Sequence, residues 1–364
     1  MSTQPLTIES LRVRAVRVPM PLLLHTATGA VTEAPMVLLD LHTREGITGH
    51  AYLFAIATAN LAPIAALAEA MGELLRGHAL VPFELERTLR ARYTLLGVHN
   101  IVLFAIAGID MAAWDAHARA LGQPLVRVLG GTPRPVRAYN SKGLGIMAPA
   151  PLAREAAQLV AEGFNAVKLR LGRDDARADL EAVRAVKAEI GPDVTLMCDF
   201  NQSLSVAEAI RRGRMLDEEG GLHWIEEPTR ADDHEGHRRI ADALATPVQL
   251  GENFMGPEQM ARALACGASD FVMPDAQRIG GVSGWMRAAA LAQAAGIEMS
   301  SHIFPEVSSH LLAVTPTGHW LEYVDWASPV LQAPLEVADG CVQVSTTPGT
   351  GIDWDEAAVT RYRA

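Results

Sequence analysis

Apolar and polar side chains alternate over the first forty residues, as at Leu11, Val13 and Ala15, and a stronger apolar run follows over 36–41. Alternation with a period of two predicts β-strands. A turn at 44–46 leads into a further strand-like run ending near Leu53, so the chain opens with a small antiparallel sheet. From about residue 64 to 122 the apolar spacing becomes helical and rich in Ala and Leu. Within it, residues 101–121 are apolar on nearly every side, which predicts a helix buried on most faces.

After Pro135 the rhythm changes. Short runs of β-formers at 136–141, 166–171, 194–201, 222–227, 248–252, 271–275, 297–302 and 319–322 alternate with Ala-rich helical stretches. Continuous apolar strands joined by helices read as a parallel sheet covered on its outer face, and eight of them favour closure into a barrel over an open doubly wound sheet. The expected class is α/β, a modified TIM barrel over 134–327 behind an α+β domain over 1–133. A tail over 328–364, punctuated by Pro334, Asp339, Gly340 and Pro348, reads as irregular strands returning to the first domain.

Composition narrows the function. The 364 residues are 49% hydrophobic and 20% charged with mean hydropathy +0.12, the balance of a well-packed globular protein. A net charge of −11 without a basic stripe argues against nucleic acid as a partner. The longest aliphatic run, 101–109, falls short of the roughly 20 residues that span a bilayer, and no basic-then-apolar leader opens the chain. The expectation is a cytoplasmic protein with no membrane partner. Cys198, Cys266 and Cys341 are too few and too scattered for a disulfide framework or a zinc site. Cys198 faces away from its neighbour Asp199 along a strand and reads as packing.

Six acidic or imidazole residues stand at the ends of the predicted strands: Asp199, Glu226, Glu252, Asp275, His302 and Glu322, spaced by 27, 26, 23, 27 and 20 residues. One βα unit occupies about that length, so all six are expected on the C-terminal rim of the barrel. Three carboxylates there, Asp199, Glu226 and Glu252, suit Mg²⁺ or Mn²⁺; alternation alone does not choose between Glu226 and Glu227. Lys168 and Arg170 share one strand face, as do Asp199 and Asn201, and two cations opposite a metal site would stabilise charge developing on a substrate carboxylate. Asp275 and His302 end adjacent strands, so the carboxylate could hold one imidazole nitrogen and leave the other to move protons. Glu322 would act as a protonated acid if burial raised its pKa. Gly280, Gly281 and Gly284 lack a phosphate-loop spacing and read as a βα loop. His234 and His237 lack the zinc-protease spacing and read as a helix start.

The strings HTATGAV (25–31), AGIDMAAWDA (107–116), DFNQSL (199–204), WIEEPT, GEN, MPDAQRIGG, SSHIF and HWLE together resemble the enolase superfamily, and within it the mandelate racemase/muconate lactonizing enzyme family, over essentially the whole chain. The resemblance implies a (β/α)7β barrel capped by the N-terminal domain and tail, Mg²⁺ on Asp199, Glu226 and Glu252, and a small carboxylate substrate. It makes His302, oriented by Asp275, the base on one substrate face and Glu322 the electrophilic acid. Lys168, Asn201 and Ser141 would assist the substrate carboxylate or hydroxyl. Loops near Leu24, Val31, Phe54 and Ile56 would close over the substrate, their apolar character suiting an aromatic or alkyl group; Lys142 is a candidate for a second polar contact. A homo-oligomer, an octamer by resemblance, is implied.

One position departs from the pattern. The racemases carry Lys-x-Lys on the strand at 166–171, the second Lys serving as base for the opposite face, whereas this chain reads Lys168, Leu169, Arg170. Reference pKa values of about 10.4 for Lys and about 13.8 for Arg make a neutral Arg about 4.6 kcal/mol harder to present, roughly three orders of magnitude in rate. The expected reaction is Mg²⁺-assisted proton removal next to a carboxylate. Racemisation of a 2-hydroxy acid leads; dehydration of an acid sugar, with His302 alone and Arg170 as a fixed cation, is the alternative. A binding protein that has lost catalysis is the third.

Overall fold

The computed structural model describes residues 6–27 and 29–364; residues 1–5, at the start of the expected capping domain, and Thr28, inside the HTATGAV string, lie outside them. The alternating N-terminal segment forms β1 (Ile8–Thr26), β2 (Gly29–Thr43) and β3 (Thr48–Phe54), an antiparallel sheet in the order β1-β2-β3 with Val13 opposite Leu39 and Leu39 opposite Ala51. Against it pack α1 (Leu61–Leu75) and α3 (Ile101–Ala120), with α2 (Pro82–Arg92) packed on α3, followed by the short α4 (Leu125–Val128). A side chain at Gly49 would bring its Cβ to 2.0 Å from the Ala112 carbonyl oxygen, so β3 lies against α3 at backbone distance. Among the described residues α3 is the one helix long and apolar enough to cross a membrane, and it is buried between β3, α1 and the barrel.

The second rhythm builds a closed barrel. Its strands are β4 (Val136–Asn140), β5 (Ala166–Arg170), β6 (Thr195–Asp199), β7 (Leu222–Glu226), β8 (Val248–Leu250), β9 (Phe271–Val272), β10 (Glu298–Met299) and β11 (Leu321–Tyr323). Neighbours pair in parallel from β4 to β10, β11 pairs with β4, and a bridge between Met299 and Gly318 completes the ring. Seven helices connect them: α5 (Pro149–Ala161), α6 (Ala176–Ile190), α7 (Val206–Glu219), α8 (His234–Ala241), α9 (Pro257–Cys266), α10 (Gly281–Ala295) and α11 (Pro305–Val314). The architecture is therefore (β/α)7β. Local chemistry sets the helix ends: Asp175, Ser205 and Asp233 accept amide hydrogens at the starts of α6, α7 and α8, while Gly267 and Gly296 take left-handed conformations at the ends of α9 and α10.

Alternation along the strands divides the chemistry from the packing. Val167, Leu169, Cys198 and Ile225 face outward into the helix layer, and Tyr139, Met197, Trp224 and Trp320 fill the barrel interior. Burying such side chains fully is worth about 1.5–3 kcal/mol each, which gives the barrel a rigid floor beneath its polar rim. The tail departs from expectation in its first half. There β12 (Val337–Ala338) and β13 (Cys341–Val342) form a hairpin whose second strand adds antiparallel to barrel strand β4, with Cys341 opposite Arg137. The remainder returns to the first domain: the Trp354 indole donates to Asp40 at 2.6 Å, and α12 (Glu356–Arg361) leads into backbone bonds from Arg17 to Tyr362 and from Ala364 to Ala15.

Candidate active site

The rim positions meet in one place. Asp199, Glu252, Asp275, His302 and Glu322, with Lys168, Arg170 and Asn201, line a cavity of about 190 Å³ between cap and barrel, and the sixth rim residue, Glu226, is buried behind Lys168, which bonds to it. Carboxylate oxygens of Asp199, Glu226 and Glu252 approach within 4.8 Å of one another, close enough to share one cation. Strand geometry selects Glu226, which shares a face with Trp224. Glu227 leaves the strand with φ 37° and instead takes two bonds of 2.9 Å from the Asn253 amide.

Lys168 stands amid these acids, its Nζ 2.6 Å from Glu226, 2.7 Å from Glu322 and 3.5 Å from Asp199. Burial, together with repulsion from Asp199, Glu322 and Glu252, pushes the Glu226 carboxyl up to about 8 in spite of Lys168; burial also raises Asp199. Three acids crowd Lys168 and repel one another, a repulsion that a divalent ion would relieve, and all three converging ligands, Asp199, Glu226 and Glu252, are hard oxygens of the kind Mg²⁺ prefers. The expectation for Glu322 is corrected. Burial does oppose its charge, but Lys168, then His302 and Arg170, hold this carboxyl well below the usual carboxylate range, so it is ionised in the metal-free site. Ser141 donates to it at 2.6 Å.

His302 is placed for proton transfer. Its Nδ1 meets Asp275 Oδ2 at 2.7 Å, and its Nε2 faces Glu252 at 3.3 Å and Glu322 at 3.7 Å. Burial works against the imidazolium, yet Glu252, Glu322 and Asp275 together raise the group to about 9. Asp275 thus holds Nδ1 and leaves Nε2 aimed into the cavity.

Arg170 is buried, and both of its terminal nitrogens are engaged while Nε has no partner. One terminal nitrogen donates to the carbonyls of Ser141 (2.9 Å), Gly143 (3.0 Å) and Lys168 (3.4 Å), and the other to Ser141 Oγ (2.9 Å). All four contacts use N–H groups of Arg170 as donors and none presents it with a proton to accept, an arrangement suited to a fixed side chain rather than a base. Two further expectations change, for Ser141 and Lys142, and Asn201 lines the cavity from a turn rather than from the strand. Asn201 lies beyond the end of β6, in a left-handed turn (φ 44°) that folds its amide back onto Asp199 at 2.9 Å. Ser141 is completely buried and reaches the cavity only through Glu322 and Arg170. Lys142 is spent on Glu162 (2.7 Å) and Asp325 (3.0 Å).

The lid residues Leu24, Val31, Phe54 and Ile56 all line the cavity, with Ile303, Val324 and Trp326 completing its apolar side. Phe54 and Trp326 pack ring to ring at 5.0 Å, and the Gln277 amide clamps the Phe54 backbone through bonds of 2.9 and 3.2 Å. Gln277, Arg278 and Trp326 escaped sequence reasoning, although the first two sit inside the quoted MPDAQRIGG string. Non-glycine residues with positive φ, among them Ile56, Asn201, Glu227 and Ile303, cluster just past strand ends at this rim. Such turns cost on the order of 1–3 kcal/mol each and are typical of sites where placement outweighs stability.

The geometry agrees with comparisons to known proteins. Residues 8–130 match the mandelate racemase/muconate lactonizing enzyme N-terminal domain, and residues 151–358 match the enolase C-terminal domain-like family. A Bradyrhizobium enolase solved with magnesium and mandelic acid is 42% identical over all of both chains, with a TM-score of 0.94. An enolase from alpha proteobacterium bal199 with bound magnesium is 44% identical over 99% of this chain and all of its own, with a TM-score of 0.97. L-talarate/galactarate dehydratase from Salmonella typhimurium is 32% identical over 90% of this chain and 82% of its own length.

Proposed function

This chain belongs to the mandelate racemase/muconate lactonizing enzyme family of the enolase superfamily, and on that premise we propose that it is a single-base lyase that dehydrates a 2,3-dihydroxy acid. Asp199, Glu226 and Glu252 would hold Mg²⁺, which when bound would supply Lewis acidity toward the substrate carboxylate. The observation carrying the reading is Arg170: a guanidinium donating to three carbonyls and a hydroxyl supports proton transfer on the His302 face alone.

The residues divide the work as follows. His302 Nε2 takes the proton from C2 while Asp275 holds Nδ1 at 2.7 Å and stabilises the imidazolium. Lys168 and the fixed Arg170 cation offset charge gathering on the substrate carboxylate. The same imidazolium then returns its proton to the departing C3 hydroxyl, so the C2–H and C3–O bonds break, water leaves, and the enol tautomerises to a 2-keto-3-deoxy acid. The apolar side of the cavity, from Leu24 to Trp326, supports a substrate with a methyl, alkyl or aryl end rather than a fully hydroxylated chain.

A second reading, racemisation of an apolar 2-hydroxy acid, is favoured by the same lining and by the mandelic acid bound to the Bradyrhizobium relative. The two are separated by incubating the Mg²⁺-loaded protein with a panel of 2,3-dihydroxy and 2-hydroxy acids and following products by NMR. A 2-keto-3-deoxy product, lost by about 10²–10⁴-fold in His302→Asn, is the expected result. Inversion at C2 without water loss would replace this reading with the second.

A further inference from the structure

Glu252 and Asp275 stand just past the ends of β8 and β9, and the two loops that carry them are bonded to each other. The guanidinium of Arg278, in the loop after β9, donates through Nη1 to the side-chain oxygen of Asn253, in the loop after β8. Asn253 in turn donates from Nδ2 to Glu252 at 3.1 Å and to both oxygens of Glu227 at 2.9 Å. The backbone of Arg278 closes the circuit: its N–H donates to Asp275 Oδ1 at 2.9 Å, and its carbonyl accepts from Gly256 N–H at 3.0 Å. Asp275 spends its other oxygen on His302.

We propose that Arg278 is a positioning residue that couples the third Mg²⁺ ligand, Glu252, to the Asp275–His302 pair through Asn253. An Asn amide can rotate to exchange its oxygen and nitrogen, and only one orientation presents Nδ2 to Glu252. Arg278 selects that orientation because a guanidinium has donors and no acceptor. With the amide fixed, one Glu252 oxygen is tied to Nδ2, which limits how the carboxylate can turn toward the ion. The backbone of the same residue keeps Asp275 facing His302, so metal and base are held in register by one side chain and one peptide. Partners of this kind typically alter metal affinity by 10- to 100-fold when removed, although they never touch the ion.

The inference does not depend on whether the reaction is dehydration or racemisation, and its test reads the metal directly. Calorimetric titration with Mg²⁺ is made on the full-length wild type, Arg278→Met, Arg278→Lys, Asn253→Ala and the double variant Arg278→Met/Asn253→Ala, with the melting temperature of each recorded. The expected result is a 10- to 100-fold weaker Mg²⁺ Kd for Arg278→Met, recovery to within about threefold of wild type for Arg278→Lys, and a double variant no weaker than the worse single one. The inference is overturned if folded Arg278→Met binds Mg²⁺ as wild type does, or if the two losses multiply in the double variant. It is equally overturned if Arg278→Lys, folded, is as weak as Arg278→Met, because the donor would then be irrelevant. Should Arg278→Met fail to fold, Arg278→Lys against Asn253→Ala decides: near-wild-type Mg²⁺ affinity in both contradicts the coupling.

Discussion

At the scale of single residues, the site in its metal-free form is a proton store. Burial and neighbouring carboxylates raise Glu226 to about 8, and the three acids around His302 raise it to about 9, so both hold protons at pH 7. Mg²⁺ competes with those protons, since the same carboxylates serve both. Affinity for Mg²⁺ is therefore expected to climb with pH through about 8 to 9 and to level off above, with protons released on binding at pH 7. Calorimetry in buffers of different ionisation enthalpy checks this; a binding heat independent of buffer at pH 7 would contradict it. The rim acids and the imidazole were legible in the sequence because one βα unit separates each from the next. The ionised state of Glu322 was not, since it is decided by Lys168, a residue 154 positions away in the chain (322 minus 168) but 2.7 Å away in space.

At the scale of elements, the Gly280, Gly281, Gly284 string, whose spacing reads as a βα loop, is a packing device. A Cβ at Gly284 would lie 2.0 Å from the Ile279 carbonyl oxygen, and one at Gly281 would lie 2.4 Å from the Asp110 carboxylate. Asp110, from α3, instead accepts the Ser283 amide at 2.9 Å and the Ser283 hydroxyl at 2.5 Å, joining the cap helix to the first turn of α10. Gly284→Ala is expected to lose about 3 kcal/mol or more, read as a lower urea midpoint at unchanged slope; an unchanged midpoint would show that α10 can shift to make room. Element order and strand count followed from periodicity, because helix-covered parallel strands carry continuous apolar runs. The β12–β13 hairpin was less visible: two-residue strands leave no period, and their partner β4 lies about two hundred residues earlier. Arg278 was illegible for a related reason, its role resting on a contact across 25 residues between two loops.

Across the whole molecule, a strained rim is carried on a rigid barrel floor and closed by an apolar cap, and the result is an Mg²⁺-dependent enzyme of the enolase superfamily. The cap contributes Leu24, Val31, Phe54 and Ile56 to the cavity and the barrel's Gln277 grips the Phe54 backbone, so both domains build its wall. The proton-transfer candidates all lie on the barrel, and the proposed reaction rests on one asymmetry between them: His302 as base on one substrate face and Arg170 as a fixed cation. The most direct test uses an acid with no β-hydroxyl, so that elimination cannot intervene. Each enantiomer of mandelate is incubated separately with the Mg²⁺-loaded protein in D₂O, and C2 is followed by NMR and chiral analysis. Deuterium entering one enantiomer with retention, the other remaining inert, is the predicted result; inversion, or exchange of both at comparable rates, would contradict it.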